Sequence, residues 1–352
     1  MTKPLALVLA TYNRAHRLDT LLADLTKQTL DQNLWDVLVC IDGSTDNSID
    51  IAKKHETLQR IPLKWFSQEN TGQSGARHKA ILETDAKHII VIDDDMELAP
   101  DFLKAHLQEY EKNPEKSVVI GKVIPLPNWE RRPLFEAVRE DYMQRLHARL
   151  EEIKPTPPTA IALITQNVSF PRELYLRVGG FDKNLRLAED MELGLRLERA
   201  GGKFVFSTDA WAIHRSDIGG YATWAKRELA YGGYFFQIWN KYNKDPLLHP
   251  LRNYVLGSAL NRCLVNTVLP VPGMLKFTEQ SLRISGATLR FFHLWKLAIA
   301  THKAIEAILR HQGILNCLGS WNEFLACARE FRNLPNLPKG PTFSGNMSNT
   351  PS

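Results

Sequence analysis

The chain has 352 residues, 44% of them hydrophobic and 24% charged, which excludes a wholly disordered protein and leaves ample material for a core. At about 150 residues per domain, this length predicts roughly two domains. The formal net charge is +5, but residues 221–352 carry 15 Lys and Arg against 6 Asp and Glu, whereas residues 1–220 are net acidic.

Residues 5–10 are an apolar run ending in Thr11-Tyr12-Asn13, as expected of a buried parallel strand that delivers a loop at its carboxyl end. Residues 18–30 follow with Leu18, Leu21, Leu22 and Leu25 at helical spacing. Residues 36–41 predict a second strand closing on Asp42-Gly43-Ser44, 48–55 a helix, 63–66 a third strand and 75–84 another helix. His88–Ile92 is a fourth strand, ending in Asp93-Asp94-Asp95, and residues 100–110 are helical. A charged helix over 131–152 leads to a proline-rich break at 154–159. Short apolar segments at 161–164 and Asn167–Pro171 precede the turn Gly179-Gly180-Phe181-Asp182. A helix over 189–200, stopped by Gly201-Gly202, and short strands at 203–207 and 210–213 complete this part. From Gly220 to Arg332 the pattern is helical, and residues 333–352 read as a disordered tail.

Strand–helix alternation predicts an α/β fold with a mostly parallel central sheet and helices on both faces. Ligands of such sheets bind at the carboxyl ends of the strands, where the polar clusters of this chain all fall. Asp93, Asp94 and Asp95 repel one another unless something positive neutralises them, and hard ions such as Mg2+ or Mn2+ take oxygen ligands. A solvated acidic loop is the competing interpretation. Asp190 falls in the first turn of its helix, where the dipole favours the ionised form that a general base needs. Ordinary helix-capping acidity competes there, and Glu192 lies close by on the same helix.

The order Thr11-Tyr12-Asn13-Arg14, Asp42-Gly43-Ser44-Thr45-Asp46, Gly72 with Gly75-Ala76-Arg77, and Asp93–Asp95 resembles the family 2 glycosyltransferases with the GT-A fold. The resemblance continues through Gly179-Gly180-Phe181-Asp182 and Glu189-Asp190-Met191-Glu192-Leu193, covering residues 4–215. It implies a GT-A nucleotide-sugar-binding and catalytic domain over 1–218, with a mainly helical region over 219–332. Thr11, Tyr12 and Arg14 would line the base and ribose pocket, Asp42 would hydrogen-bond the base, and Arg77 would approach the nucleotide or diphosphate. The aspartates match an Asp-x-Asp motif, with Asp93 on the ribose, sugar or metal, Asp94 also on the donor side, and Asp95 on the metal, Mn2+ or Mg2+. His214 would be a further ligand. Asp190, from the Glu189-Asp190 pair on the acceptor side, would be the base of an inverting displacement. Asn167 either reaches the acceptor or satisfies a buried loop.

Implied partners are a nucleotide-sugar donor, UDP-linked by preference, and a glycan or lipid-linked acceptor. A retaining transferase, a sugar-nucleotide nucleotidyltransferase and a non-catalytic nucleotide-sugar-binding protein are the alternatives. The chain shows no recognisable nucleic-acid module. Four cysteines without CxxC spacing fit a reducing cytoplasm rather than a disulfide scaffold or zinc site. Residues 263–275 are uncharged but hold Asn266, Pro270 and Pro272, well short of the about 20 apolar residues a spanning helix needs. A long amphipathic helix through Leu282, Ile284, Leu289, Phe292, Trp295, Leu297 and Ile299, with Arg283, Arg290, Lys296 and Lys303 interleaved, is expected to meet an anionic membrane surface, the catalytic domain or a second subunit. The expected location is cytoplasmic, at the inner face of the plasma membrane if this helix docks there.

Overall fold

The structure, a computed structural model, describes residues 2–152, 162–215 and 219–335. The proline-rich break and the tail beyond residue 335 lie outside them. The chain divides into two compact units, Met1–Leu126 with Met143–Asp217, and Pro127–Tyr142 with Ile218–Ser352.

Among the described residues, the first unit holds β1 (Leu5–Thr11), β2 (Trp35–Asp42), β3 (Leu63–Gln68), β4 (His88–Ile92), β5 (Met96–Leu98), β6 (Ser117–Pro125), β7 (Asn167–Pro171) and β8 (Lys203–His214). They form one sheet in the order β3-β2-β1-β4-β7-β6-β8-β5. β1 runs parallel to β2 and β4, β2 to β3, and β6 to β8. β7 is antiparallel to both β4 and β6, and β5 to β8, so the sheet is mixed beyond β4. Residues 5–9, 37–41 and 89–92 are buried throughout, which is why they read as unbroken apolar runs rather than alternating ones.

Sequence patterning missed β5, which has three residues, and β6, whose apolar run is interrupted by Gly121-Lys122. The two short strands expected near 203–213 are one strand, β8. Its register on β6 jumps there, because Gly121 pairs with Ser207 and Val123 with Ala212. Gly121 is required at this point: a Cβ would lie 2.3 Å from the Asn167 amide nitrogen.

The helices of this part are α1 (Ala15–Leu25), α2 (Ser48–Leu58), α3 (Gln73–Leu82), α4 (Phe102–Lys112), α5 (Leu134–Glu152), α6 (Arg172–Arg177) and α7 (Glu189–Arg199). α1 buries Leu18, Leu21, Leu22 and Leu25 and packs on α2, while α3 packs on β1 and β2. α1 stops short of the expected residue 30 because Gln28 is drawn elsewhere. Its amide donates to the Ala99 carbonyl at 2.7 Å and accepts the Leu103 N–H at 3.1 Å, pinning the chain to the start of α4.

The second unit comprises the first half of α5 with α8 (Tyr221–Lys241), α9 (Arg252–Leu256), α10 (Ala259–Val268), α11 (Met274–Phe291), α12 (Trp295–Leu318) and α13 (Trp321–Arg332). Leu134, Ala137 and Val138 pack on Ala298 and Ile299, and Trp224 on Ile305 and Leu309. The long helix expected through residues 282–299 is two helices. His293, at φ +58°, turns the chain between them, and the Leu294 N–H returns to the Leu289 carbonyl at 2.9 Å, as in a Schellman cap. Among the described residues, no helix is long and apolar enough to cross a membrane.

α8 and α12 approach through paired glycines. A Cβ on Gly232 would stand 2.0 Å from the Arg310 carbonyl oxygen, and one on Gly313 2.0 Å from that of Leu229. Gly313→Ala is therefore expected to destabilise the protein by about 1–3 kcal/mol through overpacking. Urea unfolding checks this, and an unchanged midpoint would mean that the two backbones are not so close.

Candidate active site at the carboxyl edge of the sheet

The β1–β4 register pairs Val8 with Val91, so three residues on Thr11 comes level with Asp94. Thr11 Oγ1 donates to Asp94 Oδ2 at 2.7 Å. Arg14, immediately before α1, donates through Nη1 to Asp94 Oδ1 at 2.8 Å and Asp95 Oδ2 at 3.2 Å. Burial opposes the charge on Arg14, but Asp94 and Asp95 outweigh it and hold its pKa above the usual arginine value. Asp94 responds with a raised pKa, because burial outweighs the help from Arg14.

Asp93 turns the other way. It accepts a hydrogen bond from Arg77 Nη2 and another from Gln73 Nε2 at 3.0 Å, both from the first turns of α3. Arg77 is fully buried, and its Nη1 donates to Thr165 Oγ1 at 2.9 Å and lies 3.6 Å from Glu189 Oε1. The three aspartates thus diverge, and two arginines supply the positive charge that their proximity demands. Repulsion among the carboxylates is thereby reduced but not removed, since Asp95 still raises the pKa of Asp94 and Asp93 that of Asp190.

The antiparallel β5–β8 ladder pairs Met96 with His214 and continues through the Arg215 N–H to the Asp95 carbonyl at 2.9 Å. His214 Nε2 therefore comes within 3.7 Å of Asp95 Oδ2. Among the described residues, no three His, Cys, Asp or Glu side chains are grouped to hold a metal by themselves. One carboxylate and one imidazole fit an ion such as Mn2+ or Mg2+ that completes its shell with phosphate and water oxygens.

α7 opens after Ala188, a non-glycine residue at φ +59°, a conformation costing about 1–2 kcal/mol. This turn sets Glu189 and Asp190 at the helix start. Asp190 Oδ1 accepts the Met191 N–H at 2.7 Å. Burial nevertheless raises the Asp190 pKa above the usual carboxylate value, with the Asp93 charge adding, so the dipole expected to keep it acidic is outweighed. Burial, with the Asp190 charge adding, pushes Glu189 up to about 8. Glu192 is committed elsewhere. It is fully buried and receives Arg196 Nε at 3.0 Å and Nη2 at 2.5 Å, while Arg196 Nη1 donates to the Val178 carbonyl at 2.7 Å.

Three expected site residues stand apart from this cluster. Asp42 is buried and holds the loop before α3, accepting the N–H groups of Thr71 and Gly72 at 2.9 Å each and Gln68 Nε2 at 2.8 Å. Asn167 is buried too. Its oxygen is hydrogen-bonded to His106 Nε2 at 2.9 Å, and its nitrogen donates to the carbonyls of Ala210 at 2.8 Å and Lys122 at 3.2 Å. Tyr12 is 51% exposed.

Sequence reasoning missed Gln73 and the pair Asn13 and Asp46. Asn13 Oδ1 accepts the Thr45 N–H at 2.7 Å, and Asp46 Oδ2 accepts the Ala15 N–H at 2.8 Å, stitching the first two strand-end loops together. The available signal was local: Asn tolerates the left-handed backbone that it adopts here at φ +53°, and Asp46-x-Ser48 is a turn-forming pattern.

The family model described as Glycosyl transferase family 2 matches residues 6–169, and Glycosyl transferase family group 2 matches residues 88–300, more than half of the chain. The chain belongs to the family 2 glycosyltransferases. It is 27% identical over 232 residues to validoxylamine A glucosyltransferase of Streptomyces hygroscopicus subsp. jinggangensis (strain 5008), covering 59% of this chain and 54% of that protein. The chain spans about half the length of the curated relatives it matches. Its fold is similar to that of a mannosyltransferase from Pyrobaculum calidifontis, PcManGT, solved with GDP-Man and Mn2+, at TM-score 0.60 and 17% identity over 92% of this chain and 88% of that one. It is also similar to TarS 1-349 of S. aureus solved with UDP-GlcNAc, at TM-score 0.52 and 17% identity over 91% and 93%. These likenesses establish the GT-A fold of this family 2 chain.

The raised Glu189 pKa has a consequence for stability. The unfolded carboxyl ionises near 4.5, while the folded one keeps its proton to about 8. Over that window the native state binds more protons, so this group's contribution falls as pH rises. Glu189→Gln, which holds no proton to lose, is expected to gain stability over the parent at pH 8, by no more than about 4 kcal/mol, and little near pH 4.5. Thermal melts at both pH values check it, and a gain independent of pH would mean that Glu189 is ionised in the fold.

Proposed function

We propose that this family 2 chain is an inverting, divalent-metal-dependent transferase that moves a sugar from a nucleoside-diphosphate sugar to a hydroxyl group. UDP is the favoured nucleotide, and a glycan, glycolipid or polyprenyl-linked saccharide the acceptor. The observation that carries this proposal is Asp190: a carboxyl with a raised pKa at the start of α7, beside Arg77, Asp93 and Glu189, while Glu192 is taken up by Arg196. A base whose pKa is raised toward neutrality is the better proton acceptor, provided that it is ionised when the acceptor binds. Glu189, protonated at neutral pH, leaves the negative charge of the pair on Asp190.

In this scheme the Asp190 carboxylate takes the proton from the acceptor hydroxyl as its oxygen attacks the anomeric carbon. The bond from that carbon to the diphosphate oxygen breaks on the opposite side, inverting configuration in one displacement. Arg14 supplies positive charge at the mouth of the carboxylate cluster, and Asp93, anchored by Arg77, faces the donor side. Asp95 and His214 would hold the divalent ion, whose role when bound is to stabilise negative charge on the leaving diphosphate. Asp42 supports the donor pocket by fixing the loop before α3. The glucosyltransferase relative and the nucleotide-sugars carried by the structural neighbours support the donor class.

Asp190→Asn is expected to keep the thermal shift caused by UDP with Mn2+ while turnover of a UDP-sugar falls by about 10²–10⁴-fold. Asp95→Ala is expected to lose the metal-dependent part of the shift. Turnover in Asp190→Asn within about threefold of the parent would place the base elsewhere. A product with retained anomeric configuration, read by NMR, would remove the base role from Asp190 altogether.

A further inference from the structure

The large apolar side chains exposed in the second unit are concentrated along one stretch. Phe277, Ile284 and Phe291 follow one another at seven-residue intervals along α11 and are 69%, 58% and 77% exposed. Phe292 and Leu294 in the turn to α12, and Leu297 in its first residues, are 64%, 47% and 56% exposed. Residues seven apart return to the same side of a helix, so these groups form a stripe that ends in an aromatic tip. The neighbouring apolar residues of the same helices are used differently. Leu282 packs against the Trp224–Ile305–Leu309 cluster, and Leu289 against that of Leu134 and Ile299. The expected amphipathic helix therefore exists as a broken one: of the positions the sequence pattern singled out, Ile284, Phe292 and Leu297 face outward, while Leu282 and Leu289 pack inward.

The charge along this stretch is mostly positive. Residues 246–305 contain seven Lys and Arg and one acidic residue, Glu279, although Arg252 is buried and Lys303 is paired with Asp141. Glu279 is turned to the phenol of Tyr221, from which it accepts a hydrogen bond at 2.8 Å. Two of the bases, Lys276 and Lys296, are exposed and stand next in sequence to Phe277 and Leu297, while Arg283, beside Ile284, lies over the Tyr221 ring at 3.9 Å. Phenyl and aliphatic groups flanked by cations suit the headgroup region of a bilayer, where rings sit at the boundary and ammonium or guanidinium groups meet phosphate. A second copy of the chain is the poorer occupant. A two-fold interface would lay this stripe on its own equivalent and bring like charges together.

We propose that the outer face of α11 and the turn from Phe291 to Leu297 dock on a phospholipid bilayer bearing anionic headgroups. The apolar stripe enters the headgroup–acyl boundary, and Lys276 and Lys296 contact the lipid phosphates. The α11–α12 pair lies on the membrane rather than in it. This proposal does not rest on the transferase reading, because lipid binding is measured with neither donor nor acceptor present.

The test is co-sedimentation of the full chain with vesicles of phosphatidylcholine alone, or of phosphatidylcholine with phosphatidylglycerol, at low and high salt. Binding is expected on the anionic vesicles, at least about tenfold stronger than on the neutral ones and weakened by salt. The double variant Phe291→Ser with Phe292→Ser is expected to lose on the order of tenfold or more of that affinity. Lys276→Glu with Lys296→Glu should lose a comparable amount on anionic vesicles only. Both variants change exposed positions, so an unchanged urea midpoint will confirm that they fold. Three results overturn the proposal: no sedimentation with anionic vesicles, as an acidic protein occupant would give; folded variants that sediment like the parent; or concentration-dependent self-association that the Phe291 and Phe292 changes abolish.

Discussion

Three successive carboxylates leave β4 at its carboxyl end, and the edge of the sheet is built around the need to balance them. Arg14 and Arg77 answer that need from opposite sides, one at the start of α1 and the other inside α3. Arg77 is fully buried, so it depends on the aspartate as much as the aspartate depends on it. Removing one partner of such a pair leaves the other as an uncompensated buried charge. Through Arg77 the same balance extends to Thr165 and Glu189, and through Arg14 to the β1 strand end. Sheet register makes this possible, because the alignment of β1 on β4 brings Thr11 to Asp94 and the β5–β8 ladder brings His214 to Asp95.

That balance sorts acidic residues which look alike in sequence. Asp42, Asp94 and Glu192 have their oxygens engaged by donors of the protein itself: loop amides for Asp42, Thr11 and Arg14 for Asp94, Arg196 for Glu192. These contacts fix loops and helix starts. Asp95 is shared between Arg14 and His214, and Asp190 at the head of α7 accepts the Met191 N–H while burial raises its pKa. The distinction rests on which donors have arrived, and donors come from strands and helices far away in the chain.

This is also why legibility in the sequence was uneven. β1, β2 and β4 could be read because they are buried on both sides, which leaves a run of apolar residues with no competing pattern. β6 could not, because Gly121 and Lys122 interrupt it, and the glycine is there for the sake of Asn167, 46 residues further on. The break between α11 and α12 was hidden for a related reason. His293 sits at φ +58° without being glycine, so nothing in the composition of that stretch marks a stop. The candidate cluster was visible as strand-end polar residues, yet the hydrogen-bond partners of Asp42 and Asn167 were not, since tertiary contacts supply them.

The second unit distributes polarity in an unusual way. Its interior holds Glu228, paired with Arg310 at 2.7 Å, and the nearly buried His249, His302 and His311. Burial drives those three imidazoles down to about 4, the cost of keeping them neutral and out of water. Meanwhile Phe277, Phe291 and Phe292 stand in solvent. Glycine-limited contacts explain why the rings cannot simply turn inward. Gly232 and Gly313 bring α8 and α12 together, and a Cβ on Gly286 of α11 would be 2.5 Å from Thr301 Oγ1 of α12. Among the described residues these aromatic groups remain largely exposed, and a contiguous apolar stripe of this kind is uncommon on a surface that meets only water.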